Sequence, residues 1–197
     1  MNLSRKQVND LVAIVTFSHS GENLVGGQLQ QVEVGLTQQV ALQLSAQLQA
    51  DCYQIQPVEP YDIKFNATLL RADSERHLGA RPEVNLVPHR LEATHRVIYL
   101  GYPNWFGTAP APVLSWLSQQ SLEGVSIYPF CTHEGGGLGR SVADLQRVSP
   151  GAIVLPGLPI RSSRVKQAQR AIAGWLWNTE RRLKPNQLGT DNGLSKY

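Results

Sequence analysis

Three short segments hold the residues that could do chemistry, and each follows an apolar run. The first is Ser18-His19-Ser20-Gly21, two hydroxyls beside a glycine, with Asn23 just beyond. The second is Pro103-Asn104-Trp105-Phe106-Gly107-Thr108, and the third is Thr132-His133-Glu134-Gly135-Gly136-Gly137-Leu138-Gly139. A hydroxyl beside a helix start, where N–H groups are unpaired and the dipole is positive, makes an anion site. Gly35-Leu36-Thr37 opens such a helix shortly after the first segment. Simple helix capping by Ser20 or Thr37 explains the same residues. Successive side chains after a strand diverge, so Trp105 and Phe106 cannot both enter the core. One must stand at the surface, to stack on a planar ligand or to fill a gap under the loop.

The glycines of the third segment let consecutive N–H groups face the edge of a heterocycle. By type, His133 and Glu134 are an acid–base pair or two metal ligands. Adjacency points them apart, and nothing else in the chain completes a ligand set, so no metal is expected. A Gly-Lys-Ser phosphate loop, a Gly-x-Ser-x-Gly elbow and a Gly-x-Gly-x-x-Gly turn after the first strand are all absent. What remains is a hydroxyl-lined phosphate pocket, an aromatic platform and a glycine-rich edge. That set fits a phosphorylated planar cofactor such as FMN.

The elements that must position these segments are legible as period. Strand-like runs fall at residues 11–17, 52–58, 96–101, 125–131 and 152–156, and helical patterns at 36–49, 111–119, 139–147 and 163–182. Leu36, Val40, Leu44 and Leu48 share one helix face, as do Val165, Ala168, Ile172, Trp175 and Leu176. Alternating strands and helices predict an α/β chain with a parallel sheet, and ligands of such sheets gather at the carboxyl ends of the strands. Two segments break the rhythm. Residues 22–34 carry Gly26-Gly27 between β-formers and predict a small hairpin or surface excursion. Residues 59–89 form a longer insertion with a helical stretch at 66–79. Residues 185–197, rich in Gly, Asn and Ser, are expected to be a disordered tail.

The chain has 197 residues, the size of one domain with a real core. No apolar run approaches the roughly 20 residues that span a bilayer, and the first ten lack a signal-peptide core. Cys52 and Cys131 have no pairing or metal spacing and read as buried free thiols, which makes the cytoplasm the default compartment. The net charge is +3, and its late basic cluster at 161–184 reads as the solvated face of a helix, with no nucleic acid or membrane partner expected.

In TFSHSGEN (16–23), VGLTQQVA (34–41), residues 61–84, LGYPNWFGTAPAPVLSWL (100–117) and PFCTHEGGGLGRSVADL (129–145), the chain resembles the flavodoxin-like FMN-binding family over nearly its full length. The resemblance implies a three-layer sandwich over residues 1–184, with a five-stranded parallel sheet of order 2-1-3-4-5 and helices on both faces, as flavodoxin itself shows. It implies non-covalent FMN. Ser18, Ser20 and Thr37 would hold the phosphate in a split loop, its first half at Ser18 and Ser20, with Gly21 and Asn23 beside them, and its end at Gly35-Leu36-Thr37 after the inserted segment. Pro103, Asn104, Trp105, Phe106 and Gly107 would line one side of the isoalloxazine, with Trp105 the stacking ring. Thr132, His133, Glu134, Gly135 and Gly137 would line the other. Leu36 stands where the family has Asn, and Gly136 where Ser is common. Electron-carrier flavodoxins are also strongly acidic, unlike this chain.

No side chain is assigned as a catalytic acid or base, because the cofactor does the redox chemistry. The implied function is electron transfer. The alternatives are an NAD(P)H-dependent reductase of quinones or similar acceptors, and a fold relative that has lost FMN and acts as a binding protein. Redox partner and homodimer formation are left open.

Overall fold

Strand β1 (Val12–Thr16) is buried at all five positions, the pattern of an aliphatic run covered on both faces. In the computed structural model, which describes residues 11–88, 91 and 94–183, it lies between two parallel neighbours. One is β4 (Asp51–Pro57), and the other is β6 (Val97–Pro103). Beyond β6 runs β7 (Ser126–His133), also parallel. Alternate residues supply opposite cores. Ala13, Val15, Ile98, Leu100 and Tyr102 pack with α3 (Ala111–Ser118) and Leu145 of α4 (Ser141–Val148) on one side. On the other, Val12, Ile14, Tyr99, Tyr128 and Phe130 pack with α1 (Leu36–Leu48) and with Ile172 and Leu176 of α5 (Gln169–Leu183). Helices therefore cover both faces.

The expectation of five all-parallel strands needs correction. Among the described residues the sheet has seven strands, in the order β5-β4-β1-β6-β7-β8, with β9 also on β7. The strand β5 (Val84–Val87), from the second insertion, adds an antiparallel edge to β4 and turns Val84 and Leu86 toward the core. At the opposite edge the expected strand over 152–156 is only β8 (Ile153–Val154). Its place along the end of β7 passes to β9 (Leu158–Arg161). Pro156 and Gly157 interrupt the two. Pro159 sits within β9, tolerable because an edge strand can spare a donor.

Residues 22–34 do form a separate two-stranded sheet, β2 (Gly21–Val25) with β3 (Gln28–Val32). Its two-residue turn, Gly26-Gly27, has φ of 63° and 81°, the mirror-image turn that suits strand twist. The second insertion holds α2 (Phe65–Leu78), close to the expected stretch. The last helix is not continuous from 163. A 3₁₀ segment (Ser162–Gln167) precedes α5. The expected tail over 185–197 lies outside the described residues. Cys131 is buried and Cys52 only half-buried, and both are free. Burial pushes their thiols up to about 12 and about 11, and so away from the reactive thiolate.

Gly101 lies in the middle of β6 because a side chain there would strike the ring of Phe130, 2.5 Å from its Cε2. We expect Gly101→Ala to cost about 1–3 kcal/mol by overpacking. Urea unfolding should show a lower midpoint for it and a partial recovery in the Gly101→Ala/Phe130→Leu double variant. Additive losses would mean that Phe130 is not the obstacle.

Candidate functional site

The reversal of strand order at β1, between β4 and β6, leaves a crevice at the carboxyl ends of the central strands. The loop after β1 is anchored there, since Phe17 N–H donates to the Gly101 carbonyl (2.9 Å). Ser18 Oγ then accepts the Gln38 N–H at 3.0 Å, across 20 residues. Helix α1 has Gly35 as its first cap and no local side-chain cap, so Ser18 does that work from the other half of the split loop. Gly35 is required by the close approach. A Cβ there would run into the Ser18 hydroxyl and lie 2.5 Å from the His19 carbonyl oxygen. By helix geometry the N–H groups of Leu36 and Thr37 have no intrahelical acceptor.

Neither hydroxyl proposed as a simple cap is one. Ser20 is exposed, and Thr37 is 1% exposed with its hydroxyl bonded to that of Thr132 at 2.8 Å. That pair ties the start of α1 to the end of β7. Gly21 is buried at φ 97°, beside Ile63, and Asn23 Nδ2 donates to the carbonyls of His19 and Gly21.

The second segment begins inside β6, at Pro103, and turns at Trp105–Thr108. Trp105 and Thr108 exchange both backbone hydrogen bonds, with Phe106 and Gly107 at φ of 54° and 77°. Phe106 rarely adopts that conformation. The turn sorts the two aromatics as their divergence requires. Trp105 packs by its edges against Phe17, His19 and Tyr61, at 5.4, 6.1 and 5.1 Å between centroids. Phe106 is 44% exposed. Asn104 joins the second and third segments, its N–H donating to Thr132 O (2.8 Å) and its Nδ2 to Gly137 O (2.6 Å).

In the third segment Thr132 and His133 belong to β7 itself. His133 Nδ1 accepts from Gly135 N–H at 3.0 Å. Burial, with Arg161 nearby, lowers its pKa against the pull of Glu134, which favours the neutral ring. Glu134 faces the hairpin instead and accepts the N–H groups of Gly26 (3.2 Å) and Gly27 (2.9 Å). Burial would raise its pKa, but Ser162, the two amides and Arg161 outweigh that and hold it low. The two side chains therefore serve different loops and do not form an acid–base pair.

Between these parts lies a cleft. Nine expected site residues line it: Asn23, Leu36, Pro103, Asn104, Trp105, Phe106, Thr132, His133 and Glu134. Ser18, Ser20, Gly21, Gly35, Thr37, Gly107, Gly135 and Gly137 do not. Leu24 of the hairpin, Phe65 and Leu69 of α2, and Ser162 complete the wall, and sequence reasoning missed all four. Phe65 and Leu69, spaced i,i+4 in the second insertion, were the available signal.

A family model described as flavodoxin matches residues 31–179. The chain belongs to the flavodoxin family. Among curated proteins nothing matches the sequence. Solved structures do. A candidate flavoprotein of Bacteroides eggerthii is 25% identical, with a TM-score of 0.66, over 85% of this chain and 96% of its own. One from Bacteroides uniformis is 19% identical, TM-score 0.64, over 84% and 97%. A Lactobacillus acidophilus flavoprotein solved in complex with FMN is 19% identical, TM-score 0.60, over 79% and 96%. No described helix of this flavodoxin-family chain is long and apolar enough to cross a membrane.

The Glu134 clamp carries a prediction. Because its carboxyl titrates below the ordinary value, the clamp holds above the usual carboxylate range and fades as pH falls through that lowered pKa. At neutral pH, Glu134→Ala should speed hydrogen exchange at the Gly26 and Gly27 amides, read by NMR, and leave the β6 and β7 amides protected. Unchanged exchange at the two glycines would show that the hairpin tip is held by something else.

Proposed function

We propose that this chain binds FMN non-covalently in the cleft and works as an electron-transfer protein. The observation that carries the reading is the meeting of the two halves of the split loop at Ser18, Gly35 and Gln38, beside an aromatic-walled cleft. A phosphate fits the anion end for a specific reason. Ser18 Oγ accepts from Gln38, so its own proton is left to donate. Leu36 and Thr37 bring their backbone N–H groups, and Ser20 an exposed hydroxyl. Thr37 would help chiefly through its backbone, because its buried hydroxyl is paired with that of Thr132. Asn104, Trp105 and Phe106 would line one side of the ring and Thr132, His133 and Glu134 the other. Gly21, Asn23, Gly107, Gly135 and Gly137 would shape the backbone around them.

When bound, FMN supplies one- or two-electron redox chemistry. The protein's part is to orient the ring, keep water from its buried side and set the charge around it. With His133 favoured as neutral and Glu134 clamped by the hairpin amides, the two ring loops themselves offer no cationic side chain to the ring. The FMN-bound Lactobacillus acidophilus relative shares this fold and is consistent with the reading.

A second reading, direct oxidation of NAD(P)H with reduction of a quinone-like acceptor, is favoured by charge. A net charge of +3 suits docking of anionic nucleotides better than docking on basic protein partners.

Fluorescence titration with FMN tests the site. Ser20→Ala should weaken binding by about 1.5–3 kcal/mol, the worth of a hydrogen bond to a charged acceptor. Thr37→Val should leave FMN affinity within about twofold while lowering stability, since it removes a buried Thr–Thr bond. A protein that takes up no FMN would overturn the reading. An equal loss in both variants would place the Thr37 hydroxyl on the phosphate.

A further inference from the structure

On the far side of the Trp105–Phe106 turn lies a second cleft that the flavin reading does not use. Four guanidinium groups line it, from Arg76, Arg81, Arg140 and Arg147, against two carboxylates, Glu75 and Asp144. The acids are recessed and already engaged. Asp144, with a side chain only 7% exposed, accepts from Thr108, from Arg140 at 3.0 Å and from Arg147 at 2.8 Å. Glu75, 12% exposed, is taken by Arg71 and Tyr61. The arginines face outward instead, with Arg140 and Arg147 side chains 60% and 70% exposed. Arg81 reaches only the backbone carbonyls of Gly79 and Ala80, and no carboxylate pairs with it among the described residues.

A guanidinium has five donors in a planar fork, so one bond to Asp144 leaves most of each free, with Asp144 fixing the side chain in place. Several oriented forks around a recessed, partly apolar cavity match phosphoryl oxygens. The forks converge on one concave recess, whereas a protein partner would take a flatter surface. Trp105 and Phe106 line both clefts, so a ligand held here lies one turn away from the proposed flavin site.

We propose that the Arg81–Arg140–Arg147 cleft binds the pyrophosphate of a nucleotide, such as a nicotinamide dinucleotide, beside the Trp105–Phe106 turn. The placement beside a flavin rests on the FMN reading, but the anion binding does not. Calorimetric titration of FMN-saturated protein with NADP⁺, ADP and inorganic pyrophosphate tests it, since FMN then occupies the phosphate loop. NADP⁺ should bind, with an affinity that falls as salt rises, and ADP and pyrophosphate should displace it. Arg81→Gln and Arg147→Gln should each weaken binding about tenfold. Arg170→Gln, on α5 away from the cleft, should leave it unchanged.

Displacement by ADP but not by pyrophosphate would assign the contact to the nucleoside and overturn the pyrophosphate site. Absence of binding by all three probes, or equal binding in the arginine variants, would overturn it as well. Flavin fluorescence in the same samples separates the two readings. If FMN is taken up and the nucleotide is not, the cleft proposal alone fails. If FMN is not taken up, the flavin reading fails, and the arginine dependence of nucleotide binding still decides the cleft.

Discussion

A single hydrogen bond, Gln38 N–H to Ser18 Oγ, joins two stretches of chain that a 12-residue excursion would otherwise keep apart. Its geometry leaves no room for a side chain at Gly35, where a Cβ would strike the Ser18 hydroxyl and the His19 carbonyl. Once that contact forms, several other features follow. Helix α1 is capped by a residue from outside itself and aims its positive end at the crevice. Thr37 is pressed under the sheet edge onto Thr132, which ties the first loop to the third. Asn104 then ties the second loop to the third through Thr132 and Gly137. Three loops from three strands thus become one surface through a short chain of polar contacts. Each of those contacts is sheltered enough to be worth more than its solvent-exposed counterpart.

The hairpin inserted at 21–32 is part of that surface. Its tip is fastened by Glu134, and Asn23 and Leu24 stand in the cleft wall. Phe65 and Leu69 reach the same wall from the second insertion. The two interruptions in the α/β rhythm therefore build one side of the cleft between them, and Glu22 links them directly through Lys64 and the Phe65 amide.

Much of this was legible in the sequence, and the legible part follows local rules. β1, β6 and β7 announce themselves by unbroken apolar runs, α1 by its 3.6 period, and the hairpin by its Gly-Gly turn. The flavodoxin family and the loops that meet at the strand ends were legible too. What was missed depends on distant partners. β9 is a four-residue strand containing proline that exists only because β7 offers an edge. β5 pairs back across an insertion. The Thr37–Thr132 bond was missed because nothing local reveals a partner 95 residues away. Which of the two neighbouring aromatics turns inward was not legible either, because the spacing of aromatics cannot say it. The left-handed Phe106 decides that, by packing Trp105 on Phe17 and Tyr61.

The hairpin enters and leaves its place at nearly the same point, since the contact of Gly35 with Ser18 shuts the loop at its base. A loop closed in this way is a tolerant length variable. Doubling its length adds only about 0.6 kcal/mol of closure entropy. The segment can therefore grow, shrink or be exchanged while the base stays shut, and only the reach of its tip to Glu134 would change. The depth of the cleft is in this sense adjustable at one place in the chain, with the sheet beneath it left alone.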